Sequence, residues 1–281
     1  MAAATCLRSD VPVNPEVRYT TTRDGCRLAW RRDGTSGGAP LLFCNSIGTG
    51  LELWDAQIMA LRDDFDIVRF DTRGHGRSDA PGGDYDLTTL AQDAAQVLDA
   101  AGFDRANICG ISLGGITAMR LALDRPDRVH RLVLADTAAR IGSTQSWEQR
   151  RESVLTLGMA AIADAAIERF FSAEFREHRP ETVTRFREAL LTTSAAGYAG
   201  CCAALRDADL TAEVNRIAAP TLVIAGLQDI STTPDQLRDL AGAITGGQLA
   251  ELDAAHLSNV ELPEEFARQI GAFFLLPAAA E

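Results

Sequence analysis

The strongest chemical signal in the chain is a serine held between glycines. In Asn107-Ile108-Cys109-Gly110-Ile111-Ser112-Leu113-Gly114-Gly115, a buried-type apolar run breaks at the serine and passes into a helix-forming segment. Gly-x-Ser-x-Gly at such a junction is a nucleophile elbow, a turn so sharp that the residues two before and two after the serine must be tiny. The turn holds the Ser112 hydroxyl out of the sheet. It also points the first N–H groups of the following helix, its positive end, at the space where an anion would develop.

A nucleophilic serine needs a base, and the base needs an orienting carboxylate. The chain has four histidines, His75, His130, His178 and His256. His130 opens an apolar run, at the wrong end of its strand. His178 sits among charges in Glu174-Phe175-Arg176-Glu177 and reads as solvent-facing. His75 precedes the serine, whereas the elbow pattern runs serine, acid, histidine. His256 remains, a short loop (Asp253-Ala254-Ala255) after a strand run. Of the two aspartates that close strand runs in this interval, Asp229 is the preferred acid, because the loop from Gly226 can lower its carboxylate beside an imidazole. Asp136, followed by Thr137, reads as a helix or turn cap.

The elements that must position these groups alternate. A hairpin is expected around Asp24-Gly25, between Glu16–Thr22 and Cys26–Arg32. Apolar runs then mark buried strands at 40–44, 65–70, 107–111, 129–135, 219–225 and 248–252, with helical periodicity between them. Strand and helix in alternation predict a mostly parallel, doubly wound α/β sheet, whose ligands sit beyond the carboxyl ends of the strands. From 140 to 205 the strand runs cease and only helical segments appear, including 154–159, 162–171 and 183–191. That stretch reads as a helical cap inserted after the sixth strand, over a core formed by 14–139 and 206–281. Residues 1–13 read as a disordered leader.

Composition narrows the function classes. With 281 residues and a formal charge of −12, the chain lacks the basic face that nucleic acid or an anionic membrane requires. No run approaches the length of a membrane span. All 27 basic residues are arginine, which excludes a Walker phosphate loop and lysine Schiff-base chemistry. Six cysteines without C-x-x-C spacing read as reduced, mostly buried thiols, and the expectation is a cytoplasmic protein, a monomer or small homo-oligomer.

These segments together resemble the α/β-hydrolase fold over about 17–276 and, more narrowly, the 3-oxoadipate enol-lactonases. The resemblance is carried by Asn45-Ser46-Ile47-Gly48-Thr49, Phe70-Asp71-Thr72-Arg73-Gly74-His75-Gly76-Arg77-Ser78, the elbow, Asp136-Thr137-Ala138-Ala139-Arg140-Ile141-Gly142, and Leu252-Asp253-Ala254-Ala255-His256-Leu257-Ser258-Asn259. The first and fourth discriminate best, since most relatives carry His-Gly where this chain has Asn45-Ser46. The resemblance implies hydrolysis of a small anionic enol-lactone through Ser112, His256 and Asp229, without metal or organic cofactor, and with the Ile47 and Leu113 N–H groups as oxyanion hole. A general carboxylesterase or perhydrolase, a carbon-carbon bond hydrolase, and a non-enzymatic receptor on the same fold are the alternatives. An anionic substrate of so acidic a protein needs a local cation. Arg140 is the expected one, because the ion pairs expected for Arg73 and Arg77 with Asp71 and Asp79 would occupy those two. Ser46 and a Trp147 wall against the ring complete the expected substrate contacts.

Overall fold

A computed structural model describes residues 16–276; the expected leader lies outside them. Its centre is an eight-stranded sheet in the order β1-β2-β4-β3-β5-β6-β7-β8. The expected hairpin is β1 (Arg18–Thr21) with β2 (Arg27–Gly34), paired antiparallel, and β2 runs antiparallel to β4 (Phe65–Phe70). From β4 onward every neighbour is parallel, through β3 (Ala39–Cys44), β5 (Ala106–Ile111), β6 (Val129–Ala135), β7 (Thr221–Gly226) and β8 (Gln248–Leu252).

β3, β7 and the later part of β6 are nearly continuous apolar runs because both faces are covered. On β3, Leu42 faces one core layer and Leu41 and Phe43 the other; on β5, Ile108 and Cys109 divide in the same way. The first layer packs on α2 (Leu87–Ala101), α3 (Leu113–Asp124) and α9 (Pro234–Ala243), the second on α1 (Asp55–Leu61) and α11 (Pro263–Phe274).

Local signals set the helix ends. Asp86 caps α2 by accepting from the Thr89 amide at 2.6 Å, and Gly102, at φ 75°, closes it. Between β6 and β7 lie α4 (Thr144–Leu157), α5 (Ala160–Phe170), α6 (Ala173–His178), α7 (Pro180–Thr192) and α8 (Ala195–Asp207). The helix expected through Met159 ends at Leu157, because Gly158 adopts φ 78° and starts a new direction. Side chains of α4 and α5, Val154 and Ile162 among them, continue the first core layer, whereas Phe170, Phe171 and Phe186 continue the second. These helices are therefore welded to the sheet by burial rather than hung from it. Among the described residues no helix is long and apolar enough to cross a membrane.

Candidate active site

Ser112 lies between β5 and α3 at φ 56° and ψ −119°, a conformation that non-glycine residues rarely adopt. Two sequence features make it attainable. A Cβ on Gly110 would stand 2.2 Å from the Gly114 carbonyl oxygen, and one on Gly114 would stand 2.1 Å from that of Cys44. The turn is pinned from β6, where the Ser112 amide donates to the Ala135 carbonyl at 3.0 Å, and by the Thr137 hydroxyl, which donates to the Ser112 carbonyl at 2.8 Å.

Three residues far apart in the chain meet here. The Ser112 hydroxyl is 2.8 Å from Nε2 of His256, and Nδ1 of His256 is 2.7 Å from Oδ2 of Asp229. Asp229 also accepts from the amides of Ser231 and Thr232, at 2.7 and 3.1 Å, and from the Thr232 hydroxyl at 2.6 Å. With its carboxylate so committed as an acceptor, Nδ1 is the protonated ring nitrogen and Nε2 is free to accept from Ser112. Burial by itself opposes the charged imidazole, but the Asp229 charge and hydrogen bond, with Asp136 beside them, raise the His256 pKa above its ordinary value. The cap closes over this chain of bonds. Phe170 of α5 stacks on the imidazole with centroids 6.4 Å apart, and its carbonyl accepts from the Leu257 amide at 3.0 Å. Ser112 is only 4% exposed.

The loop after β3 passes beside the serine and is tightly held. Asn45 donates to the Phe70 carbonyl and accepts from the Trp54 indole, both at 2.8 Å. Asp71 accepts from the Leu51 and Arg77 amides, at 2.8 and 2.9 Å. The next residue is different: the Ser46 hydroxyl is buried and has no hydrogen-bond partner. Ile47 is buried, as is Leu113 at the first position of α3. Among the described residues neither amide donates to a backbone carbonyl of the surrounding loops.

Other expected site residues take different places. Arg140 is about half exposed and pairs with Asp209 at 3.2 Å, so its charge is spent on an exposed ion pair. Trp147 is buried in the cap, with its indole donating to the Ile141 carbonyl at 2.6 Å. Arg73 and Arg77 do form ion pairs, but with partners other than Asp71 and Asp79: Arg73 binds Asp93 and Asp24 at 2.6 and 2.9 Å, and Arg77 binds Glu52 at 3.1 Å. Asp136 is no turn cap; it is fully buried between two loops.

Sequence reasoning missed two cap cations. The Arg150 guanidinium lies over the Trp147 ring at 4.4 Å and reaches the Tyr198 hydroxyl. Arg169 lies within electrostatic reach of both Arg150 and His256. Burial first, and the repulsion of Arg150 second, hold the Arg169 pKa below its ordinary value. Among the described residues neither arginine is ion-paired to a carboxylate, in a chain where most other arginines are. Nothing local distinguishes them in sequence, because the cap is rich in arginine and only its folding sets Arg169 near His256 and Arg150 near Arg169.

A parallel sheet entered by a hairpin, an elbow serine after β5, and a histidine and aspartate delivered by the last two loops define a class. The chain belongs to the α/β-hydrolase fold family, whose model matches residues 39–263, and it is a hydrolase of ester bonds. Over 253 residues it is 39% identical to 3-oxoadipate enol-lactonase 2 of Acinetobacter baylyi, which spans 90% of this chain and 95% of that one. The crystal structure of the enol-lactonase from Burkholderia xenovorans LB400 is similar with a TM-score of 0.90 and 39% identity, over 92% of this chain and 100% of that one. A thermophilic esterase from Thermogutta terrifontis gives a TM-score of 0.87 at 29% identity, over 92% and 98% of the two chains.

Proposed function

We propose that the protein opens the ring of 3-oxoadipate enol-lactone, with Ser112 as nucleophile, His256 as general base and acid, and Asp229 as the orienting carboxylate. The observation that carries the substrate assignment is a pair of neighbouring cap arginines, Arg169 within electrostatic reach of His256 and Arg150 beside it, neither ion-paired to a carboxylate. A small anionic ester supplies what they lack. Trp147 then serves the substrate indirectly, by holding Arg150 in place through its ring.

His256 Nε2 takes the Ser112 proton as Oγ attacks the lactone carbonyl, and the resulting oxyanion is held by the Ile47 and Leu113 N–H groups. One such donor contributes roughly 3 kcal/mol to transition-state stability. The unpartnered Ser46 hydroxyl supports a further hydrogen bond to the ring or its carboxylate. The imidazolium, stabilised by Asp229, gives its proton to the departing enol oxygen and the ring opens, leaving an acyl-enzyme. The enol tautomerises to a ketone, which pulls the reaction forward. His256 next activates a water, whose attack releases the acid and restores the serine.

The test is hydrolysis by the purified protein of enol-lactone made freshly by the isomerase that precedes it, followed by loss of ultraviolet absorbance, alongside neutral activated esters. The expected result is a kcat/KM for the lactone at least a hundredfold above that for any neutral ester. Equal rates on both overturn the assignment in favour of a general esterase.

A further inference from the structure

Asp136 ends β6 with φ 42°, a left-handed conformation that aspartate tolerates at a cost. Its own amide donates to the Ile224 carbonyl of β7 at 2.9 Å, which fixes the residue between the strands. The side chain is fully buried and reaches two loops at once. Oδ1 accepts from the Gly226 amide at 2.8 Å, while Oδ2 accepts from the Ser258 amide at 3.2 Å and from its hydroxyl at 2.6 Å. Gly226 is the residue from which the chain turns toward Asp229, and Ser258, the first residue of α10 (Ser258–Glu261), stands two positions after His256. One carboxylate thus ties the loop of the acid to the loop of the base.

We propose that Asp136 is a positioning residue for the hydrolysis, holding the Asp229 and His256 loops in register and adding a second negative charge that supports the imidazolium as it forms. Two backbone amides and a hydroxyl point at its oxygens, so the site is built for acceptors, and an amide in its place would aim a donor at a donor. The charged groups around it are Asp229 from the loop after β7, His256 from the loop after β8 and, facing His256 from the cap, Arg169; the Cys109 thiol of β5 is also near. Burial, with Asp229 adding to it, pushes the Asp136 pKa up to about 7, while the Ser258 and Gly226 hydrogen bonds act in the opposite sense. The His256 imidazolium pulls the other way, so the carboxylate form of Asp136 is favoured in the step in which the base becomes charged.

The inference rests on the roles assigned above to Ser112 and His256, so a neutral activated ester is used as substrate and Ser112→Ala is measured alongside. If Ser112→Ala keeps its activity, those roles fall and this inference falls with them. With Ser112→Ala inactive, Asp136→Asn is expected to lower kcat about ten- to a hundredfold at nearly constant KM. It should also move the acid limb of the kcat/KM profile to lower pH by roughly half a unit, since an imidazole that loses a neighbouring anion binds its proton less tightly. An unmoved acid limb, or a loss confined to thermal stability, overturns the proposal. Should Asp136→Asn fail to fold, Ser258→Ala decides: it keeps the charge but cuts the 2.6 Å bond to the base loop. At least a threefold loss of kcat at unchanged KM is expected, and wild-type kcat overturns the proposal.

Discussion

Nε2 of His75 accepts a hydrogen bond from the Gly48 amide at 2.9 Å, and its Nδ1 lies 3.2 Å from the Arg73 carbonyl oxygen. The ring is therefore neutral, protonated on Nδ1, and ties the loop bearing Ser46 and Ile47 to the loop after β4. Burial drives its pKa down to about 4, from 6.5 in the open chain. Between those values the unfolded chain binds a proton that the folded chain refuses. The stability linked to His75 is thus complete above about pH 6.5 and is lost as the pH falls toward 4, by roughly 3 kcal/mol in all. Glutamine can accept from the same amide without titrating. The stability of wild type relative to His75→Gln, measured by urea unfolding, should fall as the pH drops through this window and be flat above it.

The bonds among Ser112, His256 and Asp229 make their variants unequal. Ser112→Ala should fold normally and lose at least about a thousandfold in kcat, because among the described residues it is the Ser112 hydroxyl that is hydrogen-bonded to Nε2. Asp229→Asn should cost roughly ten-thousandfold, since an amide in that position favours the wrong imidazole tautomer. Steady-state rates with melting temperatures as controls separate chemistry from folding.

Arg150 and Arg169 give the substrate assignment its sharpest test. A guanidinium-carboxylate contact in a partly dry pocket is worth about 1.5–3 kcal/mol. Arg150→Gln and Arg169→Gln should each lower kcat/KM for the carboxylated lactone about ten- to a hundredfold while changing a neutral ester's value much less. Arg140→Gln, which breaks only the exposed pair with Asp209, should leave both substrates within about twofold of wild type.

Trp147→Phe keeps a ring in the cap but removes the indole bond to the Ile141 carbonyl. The lost bond is worth about 1 kcal/mol, or a melting temperature lower by a few degrees. Since the same ring carries Arg150, the lactone KM should rise while the neutral-ester KM does not. A stability loss with both KM values unchanged makes Trp147 a packing residue alone.

Much of this protein is written in short-range pattern. Uninterrupted apolar runs such as Leu41-Leu42-Phe43 specify strands covered on both faces, and glycines at 110 and 114 specify the elbow, because nothing larger fits against the Gly114 and Cys44 carbonyls. Chain order and the scarcity of histidine single out His256 and Asp229 as the residues that meet Ser112. What sequence does not determine is the partner of each charge. Arg140, Arg150 and Arg169 are equivalent as residues, and only the packing of the tertiary structure sends one to Asp209 at the surface and leaves the other two half-buried and without an ion-paired carboxylate. Asp136 makes the same point from the core. Its neighbour Thr137 suggests a local cap, yet its oxygens reach Gly226 and Ser258, 90 and 122 positions away. A carboxylate's role follows from the donors that surround it once water is excluded, and those donors are assembled by the tertiary fold.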